Sequence, residues 1–488
     1  MPDPETEADP RRWKALGICL VGGFMVLLDV SIVNVALPSI RTGLHASESD
    51  LQWVLSGYAL TFGLLLVPAG RLGDTRGRRT MFVAALAVFT LASAACGAAL
   101  SSTWLVFARL AQGLAGGALT PQISALIQQM FSGRERGKAF GIFGSVVGIS
   151  TAIGPLLGGL LIQAFGTHEG WRFVFWVNLP IGAVVLPIAW RLLPGPEPRD
   201  RAQRHDLDPV GVLLLGGGIA LLLLPLVQEQ QWKGNAKWLL VLAAALLLAG
   251  FVWWDKRYAR RGREPLVDLR LFRTRTYAFG TAMITLYFAG FTPLFFVFTL
   301  FVQNGLAYSA LLAGVAIVPF ALGSGVAAGI GGRVVYRYGR PLVAVGLVLV
   351  VVGLAASILA VHEEPGHAAG WATLAPLLLA GIGSGLVIAP NQTLTLSQVP
   401  VPQAGTAGGL LQTGQRIGTA IGIAAVGSVF FARLAGTRGR GWASAYQHGV
   451  FVELGFVLVA LVIAVVDVLV NRRIEQRKNR HPAEAIPA

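Results

Sequence analysis

The run TMFVAALAVFTLASAACGAALSSTWLVFA, from Thr80 to Ala108, contains no ionisable side chain except the thiol of Cys96. A membrane-crossing helix needs only about 20 such residues. The run is apolar throughout rather than striped at helical spacing, so it offers no aqueous face. The rest of the chain follows suit: 54% of its 488 residues are hydrophobic and 13% charged, against about 25% charged in a soluble domain. The formal charge of +15 does not point to nucleic acid, because the basic residues fall in short clusters between apolar runs, where membrane topology accounts for them. Cys19 and Cys96 both lie inside apolar runs, which leaves no disulfide framework. The start, MPDPETEADP, is acidic and polar, unlike a basic-then-apolar signal peptide, and is expected to be retained.

Working outward from that run, apolar segments separated by charged or Gly/Pro breaks predict fourteen spans. They fall at 15–38, 51–70, 80–100, 103–127, 138–165, 171–193, 208–228, 236–254, 276–302, 308–331, 341–361, 371–393, 405–431 and 447–470. With the N-terminus in the cytoplasm, cytoplasmic segments hold 30 Lys and Arg and outer segments 7, which orients both termini inward. Arg109 and Arg416 fall within spans. Arginine outnumbers lysine 33 to 6, in keeping with a GC-rich bacterial genome.

The chain also repeats itself. Gly70-Arg71-x-x-Asp74-x-x-Gly77-Arg78 returns as Gly332-Arg333-x-x-Tyr336-x-x-Gly339-Arg340, an offset of 262. Gly137-x-Ala139-x-Gly141 and Thr151-Ala152-Ile153-Gly154 return as Gly405-x-Ala407-x-Gly409 and Thr419-Ala420-Ile421-Gly422, an offset of 268 that Gly113 and Gly117 share with Gly381 and Gly385. Matched spans differ by eight in number and so run in the same direction. Two six-helix bundles with two inserted helices explain this. The expected division is a cytoplasmic tail over 1–14, a first bundle over 15–193, a linker and inserted pair over 194–263, a second bundle over 264–470, and a cytoplasmic tail over 471–488.

Five motifs then resemble one family in order. They are Leu28-Asp29-x-Ser31-Ile32-Val33-Asn34-Val35-Ala36-Leu37-Pro38, the loop Gly70 to Arg79, Arg109-x-x-Gln112-Gly113-x-x-Gly116-Gly117-Ala118, Gly154-Pro155-x-x-Gly158-Gly159, and Trp171-Arg172-Phe173-x-Phe175-Trp176-x-Asn178-x-Pro180. The chain resembles the major facilitator superfamily, specifically its fourteen-helix drug:proton antiporters of the EmrB/QacA type. Two departures stand out: Ser150 replaces a usual glycine, and Tyr336 replaces the acid of the second-half loop, so a gate there would lack that carboxylate. The resemblance implies an all-α integral membrane protein with the major facilitator fold.

Asp29 reads as the only carboxylate well inside a span, about 13 Å below the outer face, with Arg109 at about 10 Å. Acids at such depth persist mainly on proton or substrate paths. Burial and a neighbouring Arg109 would act on its protonation in opposite senses, so movement of one helix could set it. The bland alternative is a structural ion pair. Gly70, Asp74, Arg76, Gly77 and Arg78 are, by the resemblance, a cytoplasmic gate, with Asp74 facing the N-terminus of span thirteen near Gln403–Thr406; their alternative is a topology signal. Gly154, Pro155, Gly158 and Gly159 are expected to bend span five close against a second-half helix, as an antiporter seal or as simple packing.

The resemblance has spans one, four, nine and twelve line a central cavity. Asp29, Tyr58, Gln122, Tyr287, Phe291, Phe295, Asn391, Gln392 and Arg416 are the candidate substrate contacts, with Phe298 on the same helical face as the span-nine aromatics. Arg416, with no second deep carboxylate in reach, is either bound to carbonyls or a substrate or anion contact. The histidines stand at no metal-ligand spacing, and no phosphate-binding Gly-Lys-Ser/Thr loop occurs.

The expected function is proton-coupled export of drugs, antibiotics or other lipophilic or cationic compounds from a bacterial cell. The protein would act as a monomer in the inner membrane, with the proton gradient as energy source and no cofactor. The alternatives are transport of one specific metabolite or self-made antibiotic, and, with less support, a membrane-embedded enzyme or a receptor.

Overall fold

The computed structural model describes residues 11–166, 168–195, 208–227, 232, 234–364, 366–437 and 440–480. Fourteen long helical segments run in sequence: α1 (Arg12–Leu44), α2 (Glu48–Arg76), α3 (Arg78–Gly97), α4 (Ser102–Met130), α5 (Gly133–Phe165) and α6 (Gly170–Trp176 with Asn178–Leu192). Then come α7 (Pro209–Val227), α8 (Leu239–Arg260), α9 (Arg275–Leu300), α10 (Ala310–Tyr338), α11 (Arg340–Glu363), α12 (Leu374–Leu396), α13 (Ala404–Gly436) and α14 (Trp442–Arg480). Thirteen of them are long and apolar enough to cross a membrane. The remaining one, α4, is less apolar because it carries Arg109, Gln112, Gln122 and Gln128, and all four are buried against protein.

Several helices outrun their expected limits. α1 continues through Pro38 to Leu44, so Asp29 lies about 22 Å from the helix end at 1.5 Å per residue. α14 begins at Trp442, which places Glu453 about 16 Å along it.

The repeat is visible in the caps. Ser47 and Ser309, also 262 apart, cap α2 and α10 by accepting from the Asp50 and Leu312 amides. Gly77 and Gly339 turn α2 into α3 and α10 into α11 with φ of 103° and 59°, a region that favours glycine.

α1 to α6 pack on one another, as do α9 to α14, and the two sets meet mainly along α5 with α10 and α2 with α13. α7 and α8 pair, and α7 lies against α2 and α13 at that seam. The expected polar entry to this pair, Pro194–Pro209, falls largely outside the described residues, as do Glu229, residues 1–10 and residues 481–488. Where the bundles meet, glycines set the spacing: a Cβ on Gly332 would sit 2.4 Å from the Gly137 carbonyl oxygen, and one on Gly70 2.3 Å from that of Gly405. Among the described residues, the hydrogen bonds linking the bundles lie at mid-length or nearer the end that carries the basic loops (the basic face below).

Candidate functional site

Asp29 of α1 and Arg109 of α4 meet at 2.5 Å, Oδ2 to Nη1, with both side chains shut off from solvent. Gln112 lies one turn beyond Arg109 and therefore on the same side of α4. Its Oε1 accepts from Arg109 Nη1 at 2.8 Å, and its Nε2 donates to the second Asp29 oxygen at 2.9 Å. Gln112 also reaches Ser93 Oγ at 3.2 Å, and Ser93 accepts from Asn178 at 3.0 Å and donates to the Phe175 carbonyl at 2.8 Å. Arg109 Nε donates to the Val54 carbonyl at 3.1 Å, and the Tyr58 ring lies 4.1 Å below the guanidinium. Both carboxylate oxygens are satisfied, and the pair is electrically neutral. Charge-assisted bonds of this kind are among the strong ones. Gln112 was legible as an i, i+3 neighbour of a membrane arginine. Ser93 and Asn178 come from α3 and α6, and no local pattern links them to Asp29.

Arg416 of α13 is held differently. Its guanidinium lies 4.3 Å over the Phe62 ring, and no carboxylate among the described residues pairs with it. The side chain is half-buried. Tyr58 interacts with it electrostatically, and the Tyr58 hydroxyl is buried without a hydrogen-bond partner.

At the basic face, Asp74 caps α13. It accepts from the Gly405 amide at 3.0 Å, the Thr406 amide at 2.8 Å and Thr406 Oγ1 at 3.1 Å, and it pairs with Arg78 at 3.0 Å. Arg78 extends the tie to the Val401 carbonyl across the seam. Gly70 allows the close approach to Gly405 and Gly77 the turn, whereas Arg76 is exposed and outside these contacts. Gly73 packs directly under Gln122.

Five expectations need correction. First, Gly154 and Gly158 face α1 and not the second half: a Cβ on Gly154 would lie 1.9 Å from Ser31 Oγ, and one on Gly158 3.0 Å from Ile32. Gly159 meets nothing, and only Pro155 approaches α10, at Gly314. Four earlier glycines of α5 (Gly137, Gly141, Gly144 and Gly148) carry the contact with the second half, because the helix turns them toward α10 and α12.

Second, Gln122, Asn391 and Gln392 do not open onto a cavity here. Gln122 donates to the Ala69 carbonyl at 2.7 Å. Asn391 bonds the Gly280 carbonyl at 3.0 Å and Arg340 at 3.1 Å, and Gln392 reaches Ser124 at 3.1 Å. They sit late in α4 and α12: Gln122 and Asn391 tie helices within their own bundles, and Gln392 alone of the three bonds across the seam.

Third, the second-half loop is not short of an acid. Asp467 of α14 pairs with Arg340 at 3.0 Å and Arg275 at 2.7 Å, replacing from another helix what Tyr336 lacks. Fourth, Asp29 is not the only deeply buried carboxylate. Glu453 is fully buried and neither of its oxygens has a partner.

Fifth, the α9 aromatics divide. Tyr287 stacks on Phe291 at 5.3 Å, Phe295 meets Phe291 at 5.2 Å, and both phenylalanines meet Phe320 of α10. Phe298 borders the same small apolar pocket as Phe295 and Phe320, but its ring meets Tyr446 of α14.

The sequence pattern described as Major Facilitator Superfamily matches residues 19–423. The chain belongs to the major facilitator superfamily. It is 39% identical over 444 residues to the probable actinorhodin transporter of Streptomyces coelicolor, covering 89% of this chain and 76% of that one. It is 35% identical over 421 residues to the multidrug resistance protein Stp of Mycobacterium tuberculosis, covering 86% and 75%. Among solved structures, that of the human organic anion transporter MFSD10 (TETRAN) superposes with a TM-score of 0.67 at 16% identity, covering 93% of this chain and all of that one, a likeness that speaks to the fold alone. This major facilitator chain is a multi-pass membrane transporter of small molecules and not an enzyme, and its relatives export antibiotics and drugs.

Proposed function

We propose that the chain is a proton-coupled antiporter that exports drugs, antibiotics or other lipophilic compounds, cations among them, by alternating access. The observation that carries this reading is the Asp29–Arg109–Gln112 network: a carboxylate buried between two helices, held by an arginine whose withdrawal would leave it a proton acceptor. Asp29 and Arg109 act as the coupling pair. Gly70, Asp74, Gly77 and Arg78 hold the basic face closed, and the seam from Gly137 to Gly148 lets α5 move against α10. Tyr287, Phe291 and Phe295 form one wall of the substrate site, and Tyr58 with Arg416 the other. The basic face is cytoplasmic, both termini lie on that side of a bacterial inner membrane, and a single chain suffices, with the proton gradient as the energy source and no cofactor.

A relative named for transporting one compound, actinorhodin, supports a narrower alternative in which the substrate is a single self-made antibiotic.

Everted vesicles from expressing cells test the proposal. Adding ethidium or another transported compound to respiring vesicles should release lumenal protons, and an uncoupler should stop uptake of that compound. Uptake that continues unchanged with the gradient collapsed would remove proton coupling.

A further inference from the structure

The charges of the central region do not balance. Asp29 is neutralised by Arg109 at 2.5 Å, and its second oxygen is taken by Gln112. Arg416 remains, half-buried between α13 and α2, with no carboxylate against it among the described residues. A buried charge left without a counter-ion costs several kcal/mol, and an arginine persists in such a place mainly where a passing ligand supplies the opposite charge.

The surroundings of Arg416 are those of a binding site. The Phe62 ring lies 4.3 Å from the guanidinium and leaves the edge of the planar fork, with its N–H donors, to other partners. Tyr58, one turn earlier on α2, holds a buried hydroxyl with no hydrogen-bond partner. One turn before Arg416, Gln412 donates to Ser124 at 3.2 Å and so ties this part of α13 to α4. A cationic fork, an unspent hydroxyl and an aromatic face converge on one place. That combination fits a flat lipophilic molecule with an ionised oxygen: the oxygen takes the Arg416 and Tyr58 donors, and the ring system meets the Tyr287, Phe291 and Phe295 wall proposed above.

We propose that Arg416 and Tyr58 form the charge-recognising end of the substrate site, and that its preferred substrates are lipophilic aromatic weak acids bound as carboxylate or phenolate anions. This rests on the transporter reading above and reverses the charge preference that Asp29 alone would suggest, because the Asp29 charge is already spent. Export of such an anion against one proton moves two charges in the same electrical sense, so the membrane potential would drive it as well as the pH difference.

The test is equilibrium binding to the purified protein, with three fluorescent probes that share one ring system: 9-anthracenecarboxylate, its neutral carboxamide and the cationic 9-aminomethylanthracene. The wild type should bind the carboxylate at least about tenfold more tightly than the carboxamide, with the amine weakest. R416Q should lose that preference, and a melting temperature no lower than that of the wild type shows that the variant is folded. R416K should retain part of it, and Tyr58→Phe should weaken the carboxylate alone. A wild type that prefers the amine, or an R416Q protein that keeps the carboxylate preference, overturns the proposal. Because no gradient is involved, a failure of proton coupling in vesicles leaves this result intact, and the two readings fail separately.

Discussion

Arg109 and Arg416, one from each bundle, stack on rings one turn apart on the same helix, Tyr58 and Phe62 of α2, at 4.1 and 4.3 Å. The two rings are themselves 5.9 Å apart. Positions 58 and 62 share one face of α2, so a neutral charge pair at Arg109 and a cation at Arg416 with no carboxylate partner among the described residues lie side by side along it. Movement of α13 along α2 would change the field at Tyr58 without breaking the Asp29 pair, whereas movement of α1 against α4 would break it.

Asp29→Asn should abolish uphill efflux in vesicles while probe binding persists, because the amide mimics the protonated acid. It should also destabilise the protein by about 3 kcal/mol, since the Arg109 charge is left buried and unpaired. The double variant Asp29→Asn with Arg109→Gln should regain much of that stability and still not export. Thermal melting and efflux together decide this, and uphill transport by Asp29→Asn at the wild-type rate would take Asp29 out of the mechanism.

Asp74→Asn keeps the shape of the α13 cap but removes the charge facing the helix N-terminus, an interaction worth about 1 kcal/mol. The expected result is a several-fold slower turnover at saturating substrate with binding little changed. An unaltered maximal rate would make the loop a topology signal only.

The glycines of α5 should separate cleanly by what they touch. Gly154→Val must collide with Ser31, and Gly332→Val on α10 with the Gly137 carbonyl, so both should impair transport. Gly332→Val should also raise labelling of a cysteine at position 124 from the basic face by wedging the seam. Gly159→Ala meets nothing and should transport normally. Loss of function in Gly159→Ala with Gly154→Val active would reverse this assignment.

Glu453→Met should raise the melting temperature, corresponding to about 1–3 kcal/mol, because the carboxyl group is fully buried with neither oxygen bonded. A marked fall in stability would show that the carboxyl group has partners in the membrane.

Cysteine tags placed at 256–263 should react from the cytoplasm and tags at 234–237 only from outside, since they bracket α8. The reverse pattern would invert the topology and exchange the roles assigned to the two faces.

The membrane class, the helix count, the repeat and the placing of Asp29 and Arg109 inside spans were legible in the sequence, because each depends on local composition or on spacing along one helix. Lipid forces backbone hydrogen bonds to close within each span, so apolar length is enough to predict a helix. The Ser47 and Ser309 caps and the Gly77 and Gly339 turns are equally local. Which way a face points depends on helix rotation and on partners far off in the chain. Tertiary structure alone therefore decided that Gly154 faces α1, that Asp467 pairs with Arg340 beside the loop where Tyr336 brings no acid, and that Gln392 bonds across the seam to Ser124. It alone showed that Ser93 and Asn178 complete the Asp29 site and that the Arg416 guanidinium stacks on Phe62, with no carboxylate partner among the described residues. Composition can show that a charge lies in the membrane, but whether it is paired depends on distances between helices that only packing sets.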